Sequence, residues 1–334
     1  YHAMSFVHLG TVWGAHNPQG TWGYDGQFYY QIAVNPLGAA PFLDNAPYRY
    51  GRILYPLVAR LIALGQRAFI PWALLAVNLG AMLLSVALLS DLLQRQRLSP
   101  WYSLAYGLSF GLLAGLTFDT AEPFAYGLVC VALWCWQRGH AQYAAAAFGL
   151  AALARETTLL FVAGFLVYFL GKRMWRYLTW FLILGLVPVC TWLVVLVAIF
   201  GPTGLTFTPP FEHIPFAGIF AQLPGLRKVA LLAIFVLIPT ATALVLSGRD
   251  LHRATRDPIL LALLLNAVLM TFLSRDSYLD LIAAGRIGTG LVLAWVAYGT
   301  SRRSRAVLLT SFYAVPVFAV YLVGVWLGIR ALLL

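Results

Sequence analysis

Ten apolar segments follow residue 68, and they constrain the fold of this chain more than any other feature. They cover about 69–92, 100–118, 122–137, 141–155, 157–170, 177–200, 229–247, 258–273, 287–300 and 306–329. A helix of about 20 apolar residues crosses the hydrocarbon core of a bilayer. Of the 334 residues, 61% are hydrophobic and 10% charged, whereas a soluble domain carries about 25% charged residues. The sequence therefore excludes a soluble globular protein and predicts an all-α, polytopic integral membrane protein with about ten transmembrane helices.

The charged residues indicate how these segments cross the membrane. If segment 69–92 runs inward, five short loops face the cytoplasm, and these loops hold a concentration of basic residues. They are Arg95, Arg97, Arg138, Lys172, Arg173, Arg176, Arg249, Arg253, Arg256, Arg302, Arg303 and Arg305. Such loops satisfy the positive-inside rule, which accounts for the net charge of +11. No dense basic run indicates a nucleic-acid partner.

This topology divides the chain into two parts. Residues 1–68 are predicted to form an extracytoplasmic first loop with amphipathic or interfacial helices, and residues 69–334 a transmembrane domain with a second outer loop at 201–228. A long translocated loop needs a helix upstream of it, so we expect a further helix before Tyr1 and about eleven spans in all. We expect a bacterial plasma-membrane protein whose functional loops lie on the outer face.

The segment 23–33, with the sequence GYDGQFYYQIA, carries the strongest chemical signal in the chain. Phe28, Tyr29 and Ile32 share one face of a helix, which predicts an amphipathic helix at the membrane surface. Asp25 stands at its N-terminus. A carboxylate there could accept a proton from an attacking hydroxyl or cap the helix, and both interpretations stay open.

A basic and aromatic group of residues follows in the same loop. It consists of Asp44, Tyr48, Arg49, Tyr50, Arg52 and Tyr55. The planar guanidinium group suits phosphate oxygens, but Arg and Tyr also anchor proteins among lipid headgroups, and the sequence does not separate the two. The next segment, 53–67, is short and interrupted by Pro56 and Arg60, which predicts an interfacial helix or a re-entrant segment rather than a full span.

Two further acids, Asp119 and Glu122, lie in a very short turn between apolar segments. They could share a cation, or Asp119 could cap the next helix with Glu122 in its first turn. Two acids without a His-rich motif make a poor metal site, so no metal centre is predicted.

Ionisable residues also interrupt the later apolar segments. Arg155 and Glu156 are adjacent, and neighbouring helical positions point about 100° apart, which predicts different partners for them. A structural pair with Arg286 or Asp280 and a contact with substrate both stay open for them. A second polar cluster is expected at the outer end of the late segments, formed by Arg275, Asp276, Asp280 and Arg286. His213 in the loop 201–228 is either a proton shuttle or ligand, or a structural histidine.

Segment 24–33 resembles the first-loop motif of GT-C glycosyltransferases. It is closest to the Trp-Asp-Gly…Phe…Ile-Ala pattern of GPI mannosyltransferase-type proteins and their bacterial relatives. Segments 50–56 (YGRILYP) and 155–157 (RET) are similar to the same bacterial relatives. Tyr24 stands where the mannosyltransferases carry Trp, and only Asp44 is a candidate for the second acid of that loop.

The resemblance implies a GT-C-like fold and an inverting transfer of a sugar from a polyprenyl-phosphate donor to an acceptor hydroxyl on the outer face. Asp25 would be the general base, and the departing lipid phosphate would be stabilised by one or more of Arg49, Arg52, Arg155, Lys228 and Arg286. Further candidate site residues are Tyr24, Gly26, Gln27, Asp44, Asp119, Glu122, Glu156 and His213.

Apart from the polyprenyl-phosphate sugar, the resemblance specifies no cofactor, and a divalent metal stays open but unsupported. Membrane lipid and subunits of a membrane complex are the expected partners. Two alternatives to an enzyme remain, which are a non-catalytic GT-C-like scaffold subunit of such a complex and a transporter of lipids or sugar-lipids.

Overall fold

The computed structural model of the protein describes residues 3–202, 210–223, 225–252 and 257–316. Over these residues the chain forms α-, 3₁₀- and π-helical segments joined by turns, without a β-strand. This confirms the all-α class.

The first loop contains five short helices. They are α1 (Met4–Val7), α2 (Thr11–Gly14), α3 (Gly26–Val34), α4 (Ala46–Tyr50) and α5 (Leu54–Ile62). The amide N–H of Tyr48 donates to Asn45 Oδ1 at 3.1 Å, which caps α4 at its N-terminus. Helix α5 exposes Leu57, Leu61 and Ile62, as an interfacial helix should.

Helix α3 differs from the surface helix that the sequence predicted. Seven of its nine residues are buried, and Tyr29 packs with Tyr55 of α5 and Leu74 of the first long helix in a small core. The apolar face of α3 therefore meets protein on the bundle rather than lipid.

The remaining described residues form the helical bundle. Its helices are α6 (Ile70–Arg95), α7 (Leu104–Gly107), α8 (Phe110–Thr117), α9 (Glu122–Gln137), α10 (Ala141–Ala154), α11 (Leu159–Gly171), α12 (Trp175–Phe200), α13 (Ala217–Phe220), α14 (Leu226–His252), α15 (Pro258–Thr271), α16 (Leu281–Ile287), α17 (Thr289–Ser301) and α18 (Arg305–Thr310).

Three of these helices, α6, α12 and α14, are long and apolar enough to cross a membrane on their own. The pair α16 and α17, bent by 41°, makes a fourth candidate span. Shorter apolar helices cover most of the other predicted segments. The expected span 100–118 is divided instead into a 3₁₀ turn, α7 and α8, because the backbone of Ser109 is extended between them. Most of the expected span 306–329 lies outside the described residues.

A glycine contact between α8 and α16 positions the end of the bundle that carries the first loop. A Cβ on Gly111 would lie 2.0 Å from the carbonyl oxygen of Gly285, so the two backbones touch as only small residues allow. Arg286 follows Gly285 directly. It is thereby held beside the turn that joins α8 to α9, where Asp119 and Glu122 lie.

Candidate active site

Oppositely charged side chains from distant parts of the sequence meet where the first loop packs on the bundle. Six of them form one continuous chain of ion pairs, and an adjacent pair lies beside it. We call these eight residues the ion-pair cluster. In order along the contacts, they are Asp44, Arg49, Asp25, Arg286, Glu122 and Arg155, with Arg52 and Glu156 as the adjacent pair.

Asp25 lies at the centre of this cluster. Its Oδ1 is 3.0 Å from Arg49 Nη2 and its Oδ2 accepts a hydrogen bond of 2.8 Å from Arg286 Nη2. Although it precedes the first residue of α3, its side chain accepts no hydrogen bond from the helix backbone. The capping interpretation is therefore wrong, because two charged donors hold the carboxylate and charge-assisted hydrogen bonds are the stronger ones.

The two arginines also determine the charge of Asp25. Burial alone would raise the pKa of this carboxyl, but the Coulombic attraction of Arg49 and Arg286 outweighs it and holds the pKa well below its usual range. The side chain remains 26% exposed. Asp25 is thus an ionised carboxylate, fixed in position, that an incoming group can still reach.

Arg49 is held from its other side by Asp44. Its Nε donates to Asp44 Oδ1 at 2.7 Å and its Nη2 to Asp44 Oδ2 at 2.6 Å. The guanidinium carbon lies 4.3 Å from the ring centroid of Phe28, within cation–π distance. Asp44 therefore orients Arg49 towards Asp25 rather than contacting Asp25 itself.

Arg286 joins Asp25 to Glu122. Its Nε donates to Glu122 Oε1 at 2.9 Å, and Arg155 Nη1 lies 2.7 Å from the same oxygen. Glu122 is fully buried, where a lone charge would be costly. A carboxylate there depends on both arginines.

The pairing of Arg286 with Asp280 that the sequence suggested is wrong. Asp280 instead caps α16 by accepting from the backbone N–H of Ala283. Arg155 and Glu156 do have different partners, as predicted: Arg155 pairs with Glu122, and Glu156 with Arg52.

Gly26 permits the turn before α9 to approach the N-terminus of α3. A Cβ on Gly26 would lie 2.4 Å from the carbonyl oxygen of Phe118 and 3.3 Å from Asp119 Cβ. Asp119 itself has a positive φ of 46°. The turn thus carries Asp119 and Glu122 against the segment that carries Asp25.

Asp119 does not cap α9, whose N-cap position is Ala121. Its two carboxyl oxygens are buried and have no hydrogen-bond partner among the described residues. Burial raises its pKa to about 8, so the group carries a proton at neutral pH. No third ligand joins Asp119 and Glu122, since the part of the chain that the structure describes holds no group of three His, Cys, Asp or Glu residues that could hold a metal ion.

A cavity of about 300 Å³ opens beside the ion-pair cluster. Arg52, Arg155 and Glu156 line its polar side, and Leu269 and Leu273 are among the apolar residues that line the rest. Its volume is that of a small-ligand pocket. A ligand that fits it has an anionic or polar head and an apolar tail.

Arg52 fixes the polar side of this cavity. Its Nε and Nη2 donate to Glu156 at 2.9 and 2.7 Å, its Nη1 donates to the Tyr29 hydroxyl at 3.2 Å, and it also donates to the Tyr48 hydroxyl. Tyr29 was missed as a site residue because its position on an apolar helix face indicated lipid contact. Tyr29 nevertheless lies in segment 24–33, the motif that pointed to the site.

Ser274 and Ser277 also line the cavity and were missed. They lie far along the chain in a segment without a motif, so no local signal in the sequence points to them.

The other predicted residues lie around the cluster. Gln27 ties the start of the loop to α3 by accepting from the Gly10 N–H and donating to the Trp22 carbonyl. The Tyr24 ring stacks on Phe118 with centroids 4.4 Å apart. These contacts shape the approach to Asp25.

Two predicted residues stand apart from the ion-pair cluster. Lys228 donates to the backbone carbonyl of Leu279, and His213 is exposed in its loop. Residues 203–209 and 224 of the expected loop 201–228 lie outside the described residues.

Comparison with known proteins gives a likeness of fold. No family model matches the chain, and no curated protein matches its sequence. Among solved structures, ArnT from Cupriavidus metallidurans in the apo state matches with a TM-score of 0.50 and 17% sequence identity. The match covers 90% of this chain and 57% of ArnT, so the chain spans little more than half the length of that protein. At this identity the likeness shows a shared fold alone, and that fold agrees with the GT-C-like fold class expected from the sequence.

Proposed function

We propose that this chain is a membrane glycosyltransferase that moves a sugar from a polyprenyl-phosphate donor to an acceptor hydroxyl on the extracytoplasmic face, with inversion. The observation that carries the proposal is the setting of Asp25. In a GT-C fold, a partly exposed carboxylate is held by two arginines. Asp25 does not itself line the cavity, but other members of its ion-pair cluster, Arg52, Arg155 and Glu156, do.

Asp25 acts as the general base in this proposal. The acceptor oxygen attacks the anomeric carbon, the bond from that carbon to the phosphate oxygen breaks, and the acceptor proton passes to Asp25. A single displacement of this kind inverts the anomeric centre. Because its pKa is low, Asp25 is a weak base, and it takes the proton late, when the new bond has made the acceptor oxygen acidic.

Arg52 and Arg155 are assigned to the lipid phosphate because they line the cavity. The phosphate leaves with its negative charge, and guanidinium groups already in place stabilise that charge without reorganisation. Arg49 and Arg286 are assigned to positioning Asp25, which both contact.

Donor consumption tests the proposal without knowledge of the acceptor. The protein in phosphatidylcholine proteoliposomes is given undecaprenyl-phosphate pentoses and hexoses labelled in the sugar, and loss of label from the lipid is followed, since water serves as a slow acceptor. For D25N we expect a loss of about 10²-fold or more, as for removal of a general base. The matched control D276N removes an exposed carboxylate and retains activity.

Two results contradict the proposal. One is a D25N protein as active as D276N, and the other is a wild-type protein that consumes none of these donors.

A non-catalytic scaffold subunit is the second candidate. The ion-pair cluster favours this candidate, because each of its carboxylates faces a guanidinium group. Complete pairing of this kind is also typical of charge networks that only stabilise a fold. A scaffold role predicts that D25N lowers thermal stability and leaves the activity of the complex unchanged.

A further inference from the structure

Glu156 holds Arg52 at the edge of the cavity. The Arg52 side chain is only 1% exposed, whereas that of Glu156 is 34% exposed. The two hydrogen bonds between them use Nε and Nη2 of the guanidinium fork, the geometry that also suits two phosphate oxygens. Glu156 therefore occupies the edge of Arg52 that a phosphate would use.

The balance of charge in the ion-pair cluster determines how the contact between Glu156 and Arg52 affects the binding of an anion. Four guanidinium groups face four carboxylates, so the cluster has no excess positive charge for an anionic ligand. A phosphate that entered beside Glu156 would meet a like charge at short range, and such repulsion is strong where water is scarce. For an anion to bind, one carboxylate of the cluster must therefore break its ion pair with an arginine.

Arg155 indicates where such an anion would find further donors. Its side chain is 96% buried, and its Nε and Nη1 have no hydrogen-bond partner among the described residues, although Nη1 is close to Glu122. Buried donors are almost always satisfied. A phosphate between Arg52 and Arg155 would satisfy these donors of Arg155 and take the place of Glu156 on Arg52.

We propose that Glu156 is the internal counter-ion of Arg52 and that the phosphate of an isoprenoid phosphate competes with it for this guanidinium group. The inference rests on the proposed donor chemistry and deepens it. Glu156, already partly exposed, turns to water when the phosphate binds, and it pairs again with Arg52 when the lipid phosphate leaves. The carboxylate thus weakens phosphate binding and favours release of the lipid product.

Binding of simple probes tests this inference apart from catalysis. The full chain is placed in phosphatidylcholine nanodiscs, and Kd is measured for farnesyl phosphate, inorganic phosphate and farnesol. In E156Q the amide oxygen can still accept from Arg52 while the charge is gone. We expect the Kd of farnesyl phosphate to fall about tenfold and that of farnesol to stay constant. A tenfold decrease for inorganic phosphate as well would support the same competition and assign it to the phosphate group alone.

D91N is the matched control, because it makes the same change in net charge at a distant arginine-paired carboxylate. Asp91 lies 21 residues from the start of α6, about 30 Å along the helix, and D91N should bind all three probes as the wild type does. If E156Q proves unstable, E156D replaces it, since a shorter carboxylate holds Arg52 less well and should give an intermediate Kd.

An unchanged or higher Kd of farnesyl phosphate in folded E156Q overturns the inference, as does an equal fall in D91N or a fall for farnesol. The transferase proposal is tested separately by donor consumption. Tighter binding without donor consumption would retain the counter-ion role and reject the transferase.

Discussion

Asp25 and Arg286 lie 261 residues apart in the sequence, and their side chains meet at 2.8 Å. The same guanidinium group reaches the buried Glu122 through its Nε. Through these contacts the first loop is joined to α9 and α16. Any change at Arg286 therefore acts on the position of Asp25 and on the stability of the bundle together.

Replacement of Arg286 by lysine tests how far Arg286 fixes the position of Asp25. A single ammonium group keeps the charge but lacks the fork that bridges Asp25 and Glu122, so Asp25 loses its fixed position. Misplacement of a catalytic group by about 1 Å costs roughly 10²-fold in rate, and we expect a decrease of this order in donor consumption. R275K, at an exposed arginine of the neighbouring 3₁₀ turn, is the control. Equal activity of the two variants would remove Arg286 from the site.

The fully buried Glu122, which is paired with two arginines, gives a prediction about stability. E122Q leaves Arg155 and Arg286 buried without their shared carboxylate, and breaking a buried ion pair costs about 3–5 kcal/mol. Denaturant unfolding in detergent should show a loss of this size. E212Q is the matched control, because the amide can still accept from the Arg275 N–H that Glu212 binds. Similar free energies of unfolding for the two variants would contradict the structural role of Glu122.

The sequence was sufficient for the fold class because the cost of exposing apolar surface leaves few alternatives to a helical bundle in a bilayer. The sequence also singled out the residues that form the ion-pair cluster, in part because ionisable side chains at membrane depth are costly and usually functional. Arg155 and Glu156 were singled out in this way, without any knowledge of their contacts.

The sequence showed which charged residues to examine more readily than it showed which of them form ion pairs with each other. Asp280 and Arg286 are close in sequence and were expected to pair, but Asp280 binds the backbone of its own helix, which a local pattern also allows. The true partners of Arg286 are 164 and 261 residues away. Contacts at such separations depend on how helices pack, and in a single sequence no spacing rule reports that packing.

The close approach of Gly26 to the backbone of Phe118 and Val7 predicts that a larger residue does not fit at this position. In G26A the new methyl group would meet the backbone oxygens of Phe118 and Val7 at 2.4 and 3.0 Å, and backbone cannot move aside as a side chain does. We expect loss of donor consumption and about 1–3 kcal/mol of stability, as for other overpacked sites. G80A is the control, because a Cβ there meets nothing within 4 Å and alanine favours a helix. Full activity of G26A would show that the turn need not touch α3.

Asp119 gives a prediction about pH. Its pKa is about 8 in the folded protein against an ordinary value of 3.8, so between these values the folded state binds more protons than the unfolded state. Stability must then fall as pH rises from about 4 to 8, by up to about 1.4 kcal/mol per pH unit from this group. Asparagine has the same shape as the protonated acid and does not titrate. D119N should therefore unfold at a higher temperature than the wild type, by a margin that grows from pH 5 to pH 8.

Thermal unfolding across pH 5–9 in one detergent measures this difference, with D276N as the exposed-carboxylate control that should follow the wild type. Parallel curves for D119N and the wild type would mean that Asp119 is already ionised when buried. An ionised Asp119 would need a cation beside it, and none of the arginines in the ion-pair cluster pairs with it. The difference in slope between the wild-type and D119N curves from pH 6 to 8 therefore reports whether Asp119 is a neutral carboxyl in the folded protein.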